Sequence, residues 1–74
     1  MKFYTVTLEV SKIVNEIVKR KPDRIVMNHE TFELIKTNIN TSIEGNKFYF
    51  FGIKILIDNS LEIGEIQFFI EVKN

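Results

Sequence analysis

The sequence predicts an α+β fold, in the order β-α-β-α-β-β, with a mostly antiparallel sheet and two helices packed on one of its faces. Two observations lead there. Ile53, Ile55 and Ile57 alternate with Lys54, Leu56 and Asp58, and Ile66, Phe68, Ile70 and Val72 alternate with Gln67, Phe69 and Glu71, the period of two that marks half-buried strands. Val10, Ile13, Val14, Ile17 and Val18 recur instead at three- and four-residue spacing, which is the stripe of an amphipathic helix. All of this fits one domain spanning residues 1 to 74, because a chain of 74 residues cannot supply two hydrophobic cores.

In order along the chain, residues 3 to 9 mix aromatic and β-branched side chains and read as a strand. Ser11 is placed to cap the first helix, Lys19, Arg20 and Lys21 suit its negative end, and Pro22 stops it. Residues 24 to 27 form a short apolar strand. Asn28 then caps a second helix over residues 29 to 36, with Glu30 and Glu33 toward its start and Lys36 at its end. Phe32 and Ile35 share the buried face of that helix and Leu34 sits at the edge. The polar segment 37 to 46 reads as a loop with Gly45 near its end. An aromatic strand follows at residues 48 to 51, which Gly52 bends or bulges. The strands at 53 to 57 and 66 to 72, joined by the turn-rich DNSLEIG, read as a β-hairpin.

Composition narrows the function. With no cysteine and one histidine, disulfides and Cys-rich zinc sites are excluded. The domain therefore rests on packing alone or on self-association. Ten basic and ten acidic residues balance to a net charge of zero, so no global field draws the protein to nucleic acid or an anionic membrane, and neither is expected as a partner. No apolar run approaches a membrane span, which points to a soluble, cytoplasmic chain. The Asn40-Thr41-Ser42 sequon has no secretory context to give it meaning.

Catalytic chemistry finds little support, and no enzyme, cofactor or metal is expected. His29 is the only side chain whose ordinary pKa suits proton transfer near neutrality, and it sits on an exposed first helical turn. Ser11, Ser42 and Ser60 lie in no nucleophile motif. Asp58, Glu62 and Glu65 do not match the spacing of a calcium loop, and Gly45, Gly52 and Gly64 are too far apart to cradle phosphate. Base stacking by the aromatic run would need interleaved cations, and only Lys47 and Lys54 flank it.

What remains is surplus apolar surface. If Ile53, Ile55, Ile57, Ile66, Phe68 and Ile70 face the core, Leu56 and Phe69 face the other way, and Phe48 and Phe50 join them by parity if Gly52 introduces no bulge. Phe48, Phe50, Leu56 and Phe69 are then candidate interface residues, unless the first strand or the first helix covers that face.

The ordered string of a helix, PDRIVMN, a short helix, an aromatic strand, Gly52-Ile53-Lys54-Ile55, and then a loop with Gly64-Glu65-Ile66 resembles a subdomain of tailed-phage major capsid proteins and their relatives the encapsulins. The resemblance runs from Val10 to Val72. Lys54 departs from it, standing where a proline is common, and the long helix and extended segments of a shell-building protein have no counterpart. The resemblance implies a phage or prophage origin in a bacterial cytoplasm, a mixed sheet with two helices, and a tendency to form a homo-oligomer. Two functions follow as expectations. One is an accessory protein that acts by non-enzymatic binding of a host or phage protein and by self-association; the other is an inhibitor or sponge directed at a bacterial host or defence factor.

Overall fold

A computed structural model describes residues 2–6, 9–39 and 41–71. Thr7 and Leu8 of the first expected strand, Val72 of the last, and Asn40 of the sequon lie outside the described residues. The elements are β1 (Lys2–Val6), α1 (Val10–Arg20), β2 (Arg24–Met27), α2 (His29–Ile35), β3 (Thr41–Glu44), β4 (Lys47–Phe50), β5 (Ile53–Ile57) and β6 (Ile66–Ile70). They form an α+β domain around one six-stranded sheet in the order β1-β6-β2-β5-β4-β3. The β2–β5 pair is parallel and the remaining pairs are antiparallel.

Both helices lie on one face, for a topological reason. From these pairings, β1 and β2 run parallel with β6 between them, and β2 and β3 run parallel with β5 and β4 between them. The crossovers through α1 and α2 therefore step the same way along the sheet, and the right-handed rule for such crossovers puts both helices on the same side. Burial agrees. Ile13 and Ile17 of α1, Phe32 and Ile35 of α2, and Ile39 share one core with Ile25, Met27, Phe50, Ile55, Ile66 and Phe68 of the sheet.

The expected hairpin between β5 and β6 is corrected: the two strands are antiparallel to each other, but β2 lies between them. Ile25, Val26 and Met27 are all buried, and a strand apolar on both faces belongs in the middle of a sheet. The connection has to step over β2, across two strand spacings or about 10 Å. The stretch 58–65, too long for a tight turn, makes that step.

The segment expected as a loop at 37–46 contains β3, and β3 pairs with β4 through a two-residue turn at Gly45 (φ 62°) and Asn46. A positive φ at the first central position is what a type II′ hairpin requires, and glycine takes it without strain. The second tight turn is Phe51-Gly52, with φ values of 51° and 80°, the paired left-handed conformation of a type I′ hairpin. Gly52 thus reverses the chain and neither bends nor bulges one continuous strand.

Two details of α1 also differ from the reading of the sequence. The helix begins at Val10, and its first bond runs from the Ile13 N–H to the Glu9 carbonyl at 2.9 Å; Glu9 occupies the cap position without its side chain capping a helix N–H, and the Ser11 hydroxyl donates to the Glu9 carboxylate at 3.4 Å. Val18, expected on the buried stripe, is 65% exposed, because it stands about 100° around the helix from Ile17. The helix ends as expected: Lys21 turns left-handed (φ 47°), its N–H bonds the Ile17 carbonyl, and Pro22 follows.

The assignment of faces gives a sharp outcome. Phe50→Ala should destabilise the protein by about 3–5 kcal/mol, whereas Leu56→Ala on the opposite face should cost less than about 1 kcal/mol. Urea unfolding of the two variants followed by circular dichroism measures both, and equal losses would overturn the assignment.

Candidate functional site

The face of the sheet opposite the helices is the candidate site. Alternation along β2 turns Ile25 and Met27 to the core, so Arg24 and Val26 point the other way. Register then assembles that face. One cross-strand row runs Ser42, Tyr49, Lys54, Arg24 and Phe69, with Phe3 next in backbone register. A second row holds Leu56, Val26, Gln67 and Thr5. Both helices pack on the other face and β1 is an edge strand within the sheet, so neither α1 nor β1 covers these rows.

Of the expected interface residues, the structure places Leu56 and Phe69 on this face, on strands separated by β2, and the other two elsewhere. Leu56 is 36% exposed and Phe69 is half-buried, with the Arg24 guanidinium carbon 5.1 Å from its ring centroid, within cation–π range. Phe48 and Phe50 are corrected to the core face. Phe50 is fully buried and Phe48 packs on the core; the Phe32 ring lies 4.7 Å from Phe48 and 5.9 Å from Phe50. The two-residue turn is the reason. It pairs Phe48 with Ile55 and Phe50 with Ile53, so even-numbered residues before the turn share a face with odd-numbered residues after it.

Sequence reasoning missed the centre of the row. Arg24 and Lys54 are 30 positions apart in sequence yet adjacent in register on paired strands (54 − 24 = 30). Directly opposed like charges are unfavourable, and stacking of Arg24 on Phe69 offsets part of that cost. The result is two cations set between the rings of Tyr49 and Phe69 on a face that also carries Leu56 and Val26. The alternation of Arg24 with Ile25 was the available signal, but only register brings Lys54 beside it.

The other candidate groups are structural or dispersed. The stretch 58–65 is tied to the start of α2: the Asn28 side chain caps the Glu30 N–H at 2.7 Å and donates to the Leu61 carbonyl at 3.1 Å, the His29 N–H donates to Asn59 Oδ1 at 3.0 Å, and the Gly64 N–H donates to the hydroxyl of fully buried Thr31 at 2.9 Å. Asp58 accepts from the Ser60 hydroxyl and N–H, and these bonds hold its carboxyl below the usual aspartate pKa. On the exposed face of α2, His29 Nε2 and Lys36 Nζ lie 3.4 and 2.6 Å from the two oxygens of Glu33. The Lys36 hydrogen bond, aided by its charge and that of His29, lowers the Glu33 pKa. Among the described residues no group of His, Asp and Glu is arranged to hold a metal ion, and no helix is long and apolar enough to cross a membrane. An open, largely apolar groove of about 380 Å³ lies between α1 and the β4–β5 turn, lined by Ile17, Val18, Lys21, Pro22, Phe51 and Ile53.

Comparison of the chain with protein-family models, with curated proteins and with solved structures finds no match.

The ties to α2 predict that Asn28→Ala, which removes both a helix cap and the bond to Leu61, lowers stability by about 2 kcal/mol; urea unfolding measures the loss, and a neutral substitution would show that the ties are dispensable. Asp58 sets a pH dependence. Because its folded pKa lies below the unfolded value of about 3.9, its stabilising contribution is complete above that value and disappears as the pH falls through the folded pKa. An NMR titration should therefore show the Ser60 amide and the Asp58 carboxyl shifting together below about pH 4, and Asp58→Asn should abolish that step.

Proposed function

We propose that this chain is a small phage- or prophage-type accessory protein that acts without catalysis, by binding a host or phage protein and by associating with copies of itself through its sheet. The observation that carries the reading is the helix-free face, where exposed Leu56 lies beside a row of rings and cations. Apolar and aromatic side chains with arginine among them are what a protein interface concentrates at its centre. The order of elements that resembles a capsid subdomain supports the phage origin, and the small size of the domain supports a role in which partner contacts add to a limited core.

A second reading, an inhibitor or sponge directed at a host or defence factor, draws on one specific feature. Lys54, exposed and opposite Tyr49 on the open face, suits an anionic ligand with a flat ring system, such as a small nucleotide, which the cation would neutralise and the tyrosine ring would stack.

Immobilised wild type and Leu56→Lys, challenged with lysate of a bacterial host and separately with a pool of nucleotides, test both readings. The first predicts a protein retained by wild type and lost with Leu56→Lys at unchanged thermal stability. The second predicts a nucleotide that raises the melting temperature of wild type and not that of Lys54→Glu. A wild-type protein that retains neither and stays monomeric would sink both.

A further inference from the structure

We infer that β3 is a self-pairing edge, through which two copies of the chain join antiparallel about a two-fold axis perpendicular to the sheet. This rests on the self-association proposed above and names the contact that carries it. Among the described residues the strand stands at the end of the sheet and is paired on one side only, with β4. Edge strands are ordinarily blunted by shortness, by charged side chains and lysine above all, by proline or by a bulge; β3 is short, and its one charge, Glu44, stands at the end next to the turn. Thr-Ser-Ile-Glu has neither lysine nor proline, and its register with β4 runs unbroken from Thr41↔Phe50 to Glu44↔Lys47. Ile43, in the middle of the strand, is 61% exposed.

The register with β4 also decides which backbone groups are free to pair. A two-residue hairpin makes the residues flanking its turn, Glu44 and Lys47, a hydrogen-bonded pair, so Ser42 and Tyr49 form the next one. Thr41 and Ile43 then direct their N–H and C=O groups away from β4, toward the open edge. A second copy presents the same groups in the same order, which is the self-complementarity an isologous interface needs.

One register satisfies the side chains as well. With the axis passing beside Ile43, each Ile43 exchanges backbone hydrogen bonds with its symmetry mate and the two side chains pack on the helix side of the sheet. On the other face Ser42 stands opposite Glu44 of the second copy, a hydroxyl donor facing a carboxylate, and the pair occurs on both sides of the axis. No like charges are opposed, and the two sheets continue into one. The contact is small, so the dimer is weak and reversible.

Sedimentation and light scattering across roughly 10 μM to 1 mM protein test the inference. Wild type should pass from monomer to dimer in this range, and Ile43→Lys, which sets two cations against each other on the axis, should weaken association at least about tenfold with an unchanged urea midpoint. Leu56→Lys should leave the dimer intact. A dimer that survives Ile43→Lys and dissociates with Leu56→Lys would overturn the edge and leave self-association through the open face standing, and a wild type that is monomeric throughout would overturn both. Because the native chain has no cysteine, Ile43→Cys supplies a single thiol, and its Cα separation from its mate, about 5.5 Å in a hydrogen-bonded pair, suits a disulfide. Mild oxidation should link this variant and not Val18→Cys, which is equally exposed; equal linking of both would count as decisively against the edge.

Discussion

The fold depends on β2 being held between two strands that come much later in the chain. Four residues, Arg24–Met27, pair parallel with β5 on one side and antiparallel with β6 on the other. The consequences reach both ends of the strand. At its end the ladder continues as the Asp58 N–H bonds the Met27 carbonyl at 2.9 Å, and the chain then passes over β2 to reach β6. At its start the Asp23 N–H bonds the Phe69 carbonyl at 2.8 Å, and the Asp23 carboxylate accepts from the Glu71 N–H. The passage over β2 is irregular backbone whose polar groups need partners, and Asn28 and Thr31 at the start of α2 supply them. Asn28 is therefore more than a helix cap: it joins the second crossover to the last one.

From that arrangement the two faces acquire different roles. The helix side gathers the large apolar side chains into one core, and the few polar groups inside it are satisfied: the only buried polar side chain among the described residues, Thr31, is bonded to Gly64. The ion pairs of α1 and α2 are solvent-exposed or partly so and add little to stability. What holds the domain is burial, and what distinguishes its open side is the row of Tyr49, Lys54, Arg24 and Phe69 with Leu56 and Val26 beside it. Among the described residues, left-handed non-glycine backbone occurs at the rim. The two non-glycine residues with positive φ among those described, Lys21 and Phe51, both line the groove between α1 and the β4–β5 turn, where tight reversals require left-handed backbone whatever residue stands there.

The candidate site was partly legible before the fold was known. Leu56 and Phe69 follow from simple alternation, since each is flanked by apolar residues of the opposite parity that the core needs. Phe48 and Phe50 did not follow, because their parity was carried through Gly52 as though the strand ran straight, and a tight hairpin exchanges odd for even. Arg24 and Lys54 could not be joined from the sequence at all. Each looks like an isolated surface cation, and their adjacency belongs to the pairing of β2 with β5.

By itself the sequence determined the α+β class, the stripe of α1 with its proline stop, the cap of α2 at Asn28, and the apolar alternation of β5 and β6. These are local properties: dihedral preference, side-chain period and capping act over a few residues and leave their mark in the order of amino acids. The tertiary structure decided that β2 would part β5 from β6, that a polar segment would become the edge strand β3, and that two phenylalanines expected at the surface would lie in the core. Each of these is a choice of strand partner, and a strand's partners are selected by which neighbours bury its two faces and satisfy its backbone, a condition that no short window of sequence contains.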